Sequence, residues 1–140
     1  MGSSRDSRPT SSSIPTRARQ SLGVQSNPQT TRWPALAVNS ALPATDPIRA
    51  GQALFVVQCL PCHKLNGAGA SDVGPDLNLP QNPTEYFTPQ GLHDLIRNPR
   101  AVRTWPALVM PAFTADSLSD REIALVVAYL KHMAGGKQAQ

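Results

Sequence analysis

Apolar side chains recur at the three- and four-residue spacing of an amphipathic helix in three segments of this 140-residue chain. Stretches without a period separate these segments, and the fourteen prolines and 5% aromatic residues argue against regular strands. The pattern therefore predicts short helices joined by fixed loops.

The first helix is predicted to begin at Asp46-Pro47. The Asp46 carboxylate can accept a hydrogen bond from the free N–H groups of the first turn, and proline suits the first helical position because its missing donor would be unpaired there. Gly51 and Phe55 share one face of this helix. A glycine in a helix interior costs about 1 kcal/mol relative to alanine. We therefore expect another helix to approach closely at Gly51, and the first helix to run into Cys59.

The second helix is predicted to be short. Thr88-Pro89 repeats the signal of a capping residue followed by proline, and Asn98-Pro99 ends the segment because the residue before a proline disfavours helical backbone angles. A short turn is predicted over residues 82–87, and irregular loops are predicted over residues 64–77 and 100–113. The apolar positions of the helix are Leu92, Leu95 and Ile96.

The last helix carries a capping box at its start, formed by Ser119 and Glu122, whose side chains can each bond the other residue's backbone N–H. Gly135-Gly136 is predicted to end it. Tyr129 is placed to meet the glycine-bearing face of the first helix. The predicted buried stripe consists of Ile123, Val126, Val127, Leu130 and Ala134.

Residues 1–44 are rich in Ser, Thr, Pro, Gln and Arg and have no sustained apolar period, which predicts an arm that is disordered in isolation. The arm could lie along a partner subunit, act as a targeting segment, or begin with a vector-derived remnant at Met1-Gly2-Ser3-Ser4. Residues 45–140 are predicted to form one small domain.

The net charge of +4 belongs entirely to the arm, because eight basic and eight acidic residues balance from residue 45 onward. A nucleic-acid-binding function based on net charge is therefore excluded for the folded part. No run approaches the roughly 20 apolar residues that a membrane-spanning helix needs. The arm carries a single aspartate, Asp6, and five arginines: Arg5, Arg8, Arg17, Arg19 and Arg32.

The strongest chemical signal is Cys59-Leu60-Pro61-Cys62-His63, which contains the only two cysteines of the chain. Two thiols at this spacing followed by histidine are typical of covalent haem attachment, in which each sulfur forms a thioether and the imidazole binds the iron. Two alternatives compete. One is a thioredoxin-like redox motif, which requires a βαβ pattern. The other is a zinc site completed by His93 or His132.

If the group is a haem, two further contacts are expected. The loop after His63 can offer a backbone carbonyl to the second ring nitrogen, and Pro75 is the candidate. Met110 lies in an apolar, irregular run beside Pro111, which stiffens its loop, so it is the expected second axial ligand. Met133, His93 and His132 are its rivals. Trp105, Arg100 and Arg103 could donate hydrogen bonds to the haem propionates, although a solvated surface is an equal alternative for the arginines.

Taken in order, these motifs resemble the class I (monohaem) cytochromes c, and the resemblance covers residues 46–134. It implies an all-α, small cytochrome c fold in which three to five short helices and long loops enclose one covalently attached haem c per chain. It also implies His63 and Met110 as iron ligands and an exposed haem edge through which single electrons pass. The residues that carry it are Gly51, Phe55, Cys59, Cys62, His63, Gly74-Pro75-Asp76-Leu77, Met110-Pro111 and the segment 126–131.

The function that this resemblance implies is electron transfer rather than enzymatic catalysis. The chain would serve as a soluble carrier or as the cytochrome subunit of a respiratory, photosynthetic or dehydrogenase complex. Its partners would be an electron donor and an acceptor, with a larger complex reached through the arm. The expected location is the periplasm or, alternatively, the mitochondrial intermembrane space, although no secretory signal is visible. Only three lysines are present, so we expect apolar docking around the haem edge rather than a lysine ring.

Two other functions remain open. A haem enzyme or gas sensor would use a displaceable Met110, with His93 as the distal acid or base. A largely structural subunit would use the arm to clamp a complex while the haem relays electrons.

Overall fold

The structure, a computed structural model, describes residues 34–137. These residues form four α-helices: α1 (Pro47–Gln58), α2 (Pro89–Arg97), α3 (Pro99–Val102) and α4 (Asp120–Lys137). Two 3₁₀ turns, Pro34–Leu36 and Pro83–Glu85, lie in the connecting segments. Over this part of the chain the only β-type pairing is an isolated bridge, so the predicted all-α fold is confirmed. None of the described helices has the length and apolarity needed to cross a bilayer.

The core forms where α1 packs on α4, and Gly51 lies at the point of closest approach. A Cβ atom added to Gly51 would lie 2.0 Å from the Leu125 carbonyl oxygen and 2.9 Å from Tyr129 Cβ. One turn later, the Phe55 and Tyr129 rings pack with centroids 5.5 Å apart, and both side chains are fully buried. The predicted close approach at Gly51 is thus confirmed, and it allows the two aromatic rings to meet.

The capping signals also function as predicted. The side chains of Asp46 and Thr88 accept hydrogen bonds of 2.8 Å and 3.0 Å from N–H groups in the first turns of α1 and α2. At α4, Glu122 Oε2 accepts a 2.7 Å bond from the Ser119 N–H, and Ser119 Oγ accepts a 3.3 Å bond from the Glu122 N–H. The starts of α1, α2 and α4 are therefore determined by residues adjacent to them in sequence.

Two helix boundaries differ from the predictions. Gly135-Gly136 does not stop α4, which continues to Lys137 because the ammonium group of Lys137 pairs with Glu85 at 2.8 Å and holds the last turn in place. The second helix ends at Arg97 as predicted, but the chain then forms the short helix α3, which begins with Pro99. Proline is compatible with a first helical position, so the residue that ends α2 also starts α3.

Residues 34–44 were predicted to belong to the arm, but Leu36 is fully buried in the core. Its carbonyl oxygen accepts two 2.7 Å hydrogen bonds, one from the Tyr129 hydroxyl and one from Gln52 Nε2. Burial raises the pKa of the Tyr129 hydroxyl, which remains a neutral donor. The segment from residue 34 therefore packs against the domain through Leu36, and the division at residue 44 stays a prediction. Residues 1–33 lie outside the described part, and there the arm stays a prediction.

Two buried asparagines attach the long connecting loop to α4. Asn82 Nδ2 donates to the Leu130 carbonyl at 2.9 Å, and Asn78 Nδ2 donates to the Met133 carbonyl at 3.2 Å. Asn82 also donates to the Asn78 side chain at 2.8 Å. Because both side chains are fully buried, these bonds satisfy polar groups that would otherwise be costly to bury.

A second link joins α2 to the start of α4 through charged groups. His93 Nε2 lies 2.8 Å from Asp120 Oδ1, and His93 Nδ1 lies 3.1 Å from Asp94 Oδ1. The bond to Asp120, followed by the bond to Asp94, raises the pKa of His93 above its ordinary value of 6.5, while Arg97 opposes this increase. Arg97 and then His93 lower the pKa of Asp120 below its ordinary 3.8. The carboxylate of Asp120 thus serves two cationic partners on α2.

Replacing Gly51 by alanine should destabilise the protein by about 2 kcal/mol, because the added methyl group would overlap the α4 backbone. Chemical denaturation of the purified protein measures the change. Gly135→Ala is the matched control, since a Cβ at Gly135 meets nothing within 4 Å. That variant should be slightly more stable, by about 0.5 kcal/mol. Equal stability of the two variants would contradict the close crossing.

The α2–α4 link should depend on pH in a defined direction. The link contributes its full stability between pH 3.8 and pH 6.5, which are the ordinary pKa values of its carboxyl and imidazole groups. It is lost at higher pH as His93 releases its proton, and at lower pH as Asp120 gains one. Asp120→Asn should lower the pKa of His93 in an NMR titration, whereas Asp116→Asn should leave it unchanged. An unaltered His93 titration in Asp120→Asn would show that the link does not form.

Candidate haem-binding site

The cysteine–histidine motif follows directly from the C-terminus of α1. Cys59 ends the helix, and its N–H donates to the Phe55 carbonyl at 2.8 Å. The next turn folds back on it, since the N–H groups of Cys62 and His63 donate to the Cys59 carbonyl at 3.1 Å and 2.9 Å. The crossing helix α1 therefore determines where both thiols and the imidazole lie. Both cysteines are unpaired and partly buried.

The environment of Cys59 argues against the thioredoxin-like alternative. Burial, with a smaller contribution from Cys62, raises the pKa of the Cys59 thiol to about 12. Thiol–disulfide exchange requires a thiolate, and redox-active motifs of this type lower the thiol pKa instead. The strands that such a fold needs are also absent between residues 34 and 137.

The ring of His63 is oriented by the loop that follows it. Its Nδ1 lies 2.8 Å from the Pro75 carbonyl oxygen, so the contact predicted between these two residues is present. Gly74 lies directly against the ring, because a Cβ at this position would be 2.5 Å from His63 Cε1. The Gly74 N–H donates to the Cys62 carbonyl at 2.7 Å. With Nδ1 engaged, Nε2 is the nitrogen that remains to bind a metal.

Asp76 holds this loop in shape. Its carboxylate accepts hydrogen bonds from four backbone N–H groups, at distances between 2.7 and 3.2 Å. These N–H groups belong to two stretches of chain, Asn66-Gly67 and Asn78-Leu79. Asp76 directly follows Pro75, so it also restricts the carbonyl that contacts His63. Sequence reasoning missed this role. A usable signal was a carboxylate between glycine-rich and proline-rich stretches that contain few other side-chain acceptors.

Met110 lies in the irregular segment between α3 and α4. It is partly buried and packs against a small apolar cluster formed by Ile96, Leu118 and Ile123. Its rival Met133 is 8% exposed and belongs to the main core between α1 and α4. Met133 is therefore occupied in packing, whereas Met110 lies at the margin of a core cluster.

The three residues predicted to contact propionates contact other groups in the described structure. Arg100 Nη2 donates to the Leu108 carbonyl at 3.0 Å. The Arg103 guanidinium lies over the Trp105 ring at 4.6 Å and over the Phe87 ring at 5.1 Å, within the range of cation–π attraction. Trp105 remains 58% exposed. All three lie in the segment before Met110, and their contact with propionates stays a prediction.

The donor set around Cys59 suits a haem better than a metal ion held by protein alone. Among residues 34–137 there is no group of three or more His, Cys, Asp or Glu side chains able to hold a metal, as the zinc alternative requires. His93, one of its proposed ligands, is hydrogen-bonded to Asp120 and Asp94 instead. Two thiols in one turn beside an oriented imidazole match the attachment of a haem through two sulfurs and a single protein nitrogen.

Comparison with known proteins places this site within a family. The family model described as cytochrome c oxidase, cbb3-type, subunit III matches residues 46–130, which include α1, the cysteine–histidine motif, Met110 and most of α4. No curated protein and no solved structure matches the chain. The match covers more than half of the sequence and agrees with the helical fold described above. The chain therefore belongs to this family of cytochrome c domains, within the class I cytochromes c, whose role is haem-based electron transfer.

Proposed function

We propose that this protein carries one haem c, bound covalently through Cys59 and Cys62, and transfers single electrons with His63 and Met110 as its iron ligands. The observation that carries the proposal is the contact between His63 Nδ1 and the Pro75 carbonyl at 2.8 Å. A histidine that directly follows the second cysteine and is fixed in orientation by a backbone acceptor has the arrangement of an iron ligand.

The two ligands have separate functions in this proposal. The Pro75 carbonyl makes the His63 imidazole more basic and fixes which ring nitrogen binds the metal. The Met110 thioether favours the reduced state relative to a second imidazole. The haem itself supplies the redox change between Fe(III) and Fe(II). With protein atoms on both sides of the iron, no substrate needs to bind there, so the protein acts as a carrier or subunit and not as an enzyme.

The cbb3-type family assignment supports a role as the cytochrome subunit of a respiratory complex. We propose that the chain works on the extracytoplasmic side of an energy-transducing membrane, in the periplasm, and that it contacts an electron donor and an acceptor there. A free soluble carrier is the alternative form of the same function. Attachment to a larger complex through the arm remains part of the proposal. Residues 1–33 of the arm lie outside the described range.

Docking is proposed to use apolar side chains near the ligand-bearing segments. Val57, Val73 and Val109 are 66%, 63% and 68% exposed, and they lie within two residues of Cys59, Pro75 and Met110 respectively. Two of the three lysines are engaged, because Lys64 pairs with Asp72 and Lys137 pairs with Glu85. This arrangement supports the expectation of apolar contact in place of a lysine ring.

A haem enzyme or gas sensor is less well supported. That function needs a distal acid or base, and His93 was the candidate. Both ring nitrogens of His93 are engaged, with Asp94 and with Asp120. No other observation favours a displaceable Met110.

Replacing the cysteines one at a time tests covalent attachment. Cys59→Ala and Cys62→Ala should each retain the haem through the remaining sulfur. The reduced α-band should move to longer wavelength, because one vinyl group stays conjugated with the ring. The double variant should lose the haem on a denaturing gel stained for peroxidase activity. Haem that stays attached to the double variant would contradict attachment through these sulfurs.

Met110→Ala should lower the reduction potential and open the iron to carbon monoxide, because the thioether no longer occupies the sixth position. Redox titration and absorption spectra of the reduced protein measure both effects. Met133→Leu is the matched control, since it removes the other sulfur at nearly constant volume. A spectrum of Met110→Ala identical to that of the parent protein would refute the assignment of this ligand.

A further inference from the structure

Arg97 is the last residue of α2, and its side chain reaches back to the segment that follows Met110. Its guanidinium donates to the carbonyl of Phe113 at 2.9 Å and also to the carbonyl of Leu118. It completes its contacts by pairing with Asp120. The Arg97 side chain is 19% exposed and its two bonds to carbonyls are partly buried, whereas the Asp120 side chain is 77% exposed.

Both backbone polar groups of Phe113 form hydrogen bonds with the end of α2. Its N–H donates to the Ile96 carbonyl at 3.1 Å, and its carbonyl accepts from Arg97. The residues that hold it are adjacent at the end of α2. The backbone at Phe113 is thus fixed to this helix although no helix or strand includes it.

Only two residues separate Phe113 from Met110, and one of them is Pro111, whose ring restricts the backbone. The Met110 side chain packs against the apolar cluster that contains Ile96, the residue whose carbonyl accepts from the Phe113 N–H. Movement of Phe113 would therefore be transmitted to Met110 over a short, stiff stretch of chain.

We infer that Arg97 is a positioning residue for the sixth iron ligand: by holding Phe113 and Leu118, it keeps the Met110 thioether directed at the iron. This inference rests on the proposed function, in which Met110 is that ligand. Arg97 does not itself touch the iron. Its planar group presents five donors in a fixed fork, whereas a lysine ammonium group has three donors at the end of a flexible stem and cannot reproduce this geometry.

The test uses the oxidised holoprotein and titration with imidazole, which competes with Met110 for the iron. The weak absorption band at the red end of the visible spectrum reports the methionine–iron bond. In Arg97→Ala, imidazole should displace Met110 about tenfold more readily, as expected for the loss of a hydrogen bond from a charged donor. Arg97→Lys should lie between this variant and the parent.

Arg49→Ala is the matched control. Arg49 also holds a loop through backbone carbonyls, donating to Leu42 at 2.8 and 3.0 Å, but this loop precedes α1. Its replacement should lower stability without changing imidazole binding by more than about twofold, a difference below the energy of one ordinary hydrogen bond. A tenfold effect in Arg49→Ala as well would show that general loosening explains the result and would overturn the inference.

The possible failures can be separated. If Arg97→Ala binds imidazole like the parent while Met110→Ala lacks the red band, the ligand assignment stands and the inference about Arg97 is wrong. If Met110→Ala keeps the band, the proposed ligand itself is wrong. If Arg97→Ala does not fold, Arg97→Lys decides. Imidazole should displace Met110 more readily in Arg97→Lys than in the parent, and equal displacement would refute the inference.

Discussion

The contact of α1 with the α4 backbone at Gly51 is the constraint on which the other features depend. It brings Phe55 against Tyr129, and the Tyr129 hydroxyl in turn holds the Leu36 carbonyl. Because α1 ends at Cys59, the same contact also determines where the cysteine–histidine turn begins. The absence of a side chain at Gly51 thus connects the packing of the core to the position of the cysteine–histidine motif.

Local signals in the sequence were sufficient for much of this fold. Asp46, Thr88 and Ser119 lie beside the helices that they begin, so each start could be identified from neighbouring residues. Two features of the fold that sequence reasoning missed depend on contacts between distant residues. Leu36 is buried by residues of α1 and α4, and α4 extends past two glycines because Lys137 reaches Glu85. The pattern of apolar residues within either segment does not indicate these contacts.

In the candidate site, too, some features follow from local sequence and others depend on a different element of the fold. The cysteines, His63 and the Pro75 contact belong to one stretch of chain, and their arrangement followed from spacing and loop composition. Met110 lies in a segment without a period, which is anchored by Arg97 from another helix. The His63 loop is therefore stabilised mainly from within, through Asp76, whereas the Met110 loop depends on α2. The two proposed iron ligands differ in the kind of support they have, because His63 is held by its own loop and the Met110 segment is held by the end of a helix.

The pairing of Lys64 with Asp72 and of Lys137 with Glu85 has a consequence for encounter with other proteins. Each pair cancels its own charge over a distance shorter than the screening length of about 8 Å in physiological buffer. From residue 45 onward the formal charges also sum to zero. Long-range attraction would then contribute little to the approach of a redox partner. The association rate of the domain should change only weakly with ionic strength, in contrast to cytochromes whose docking is steered by a ring of lysines.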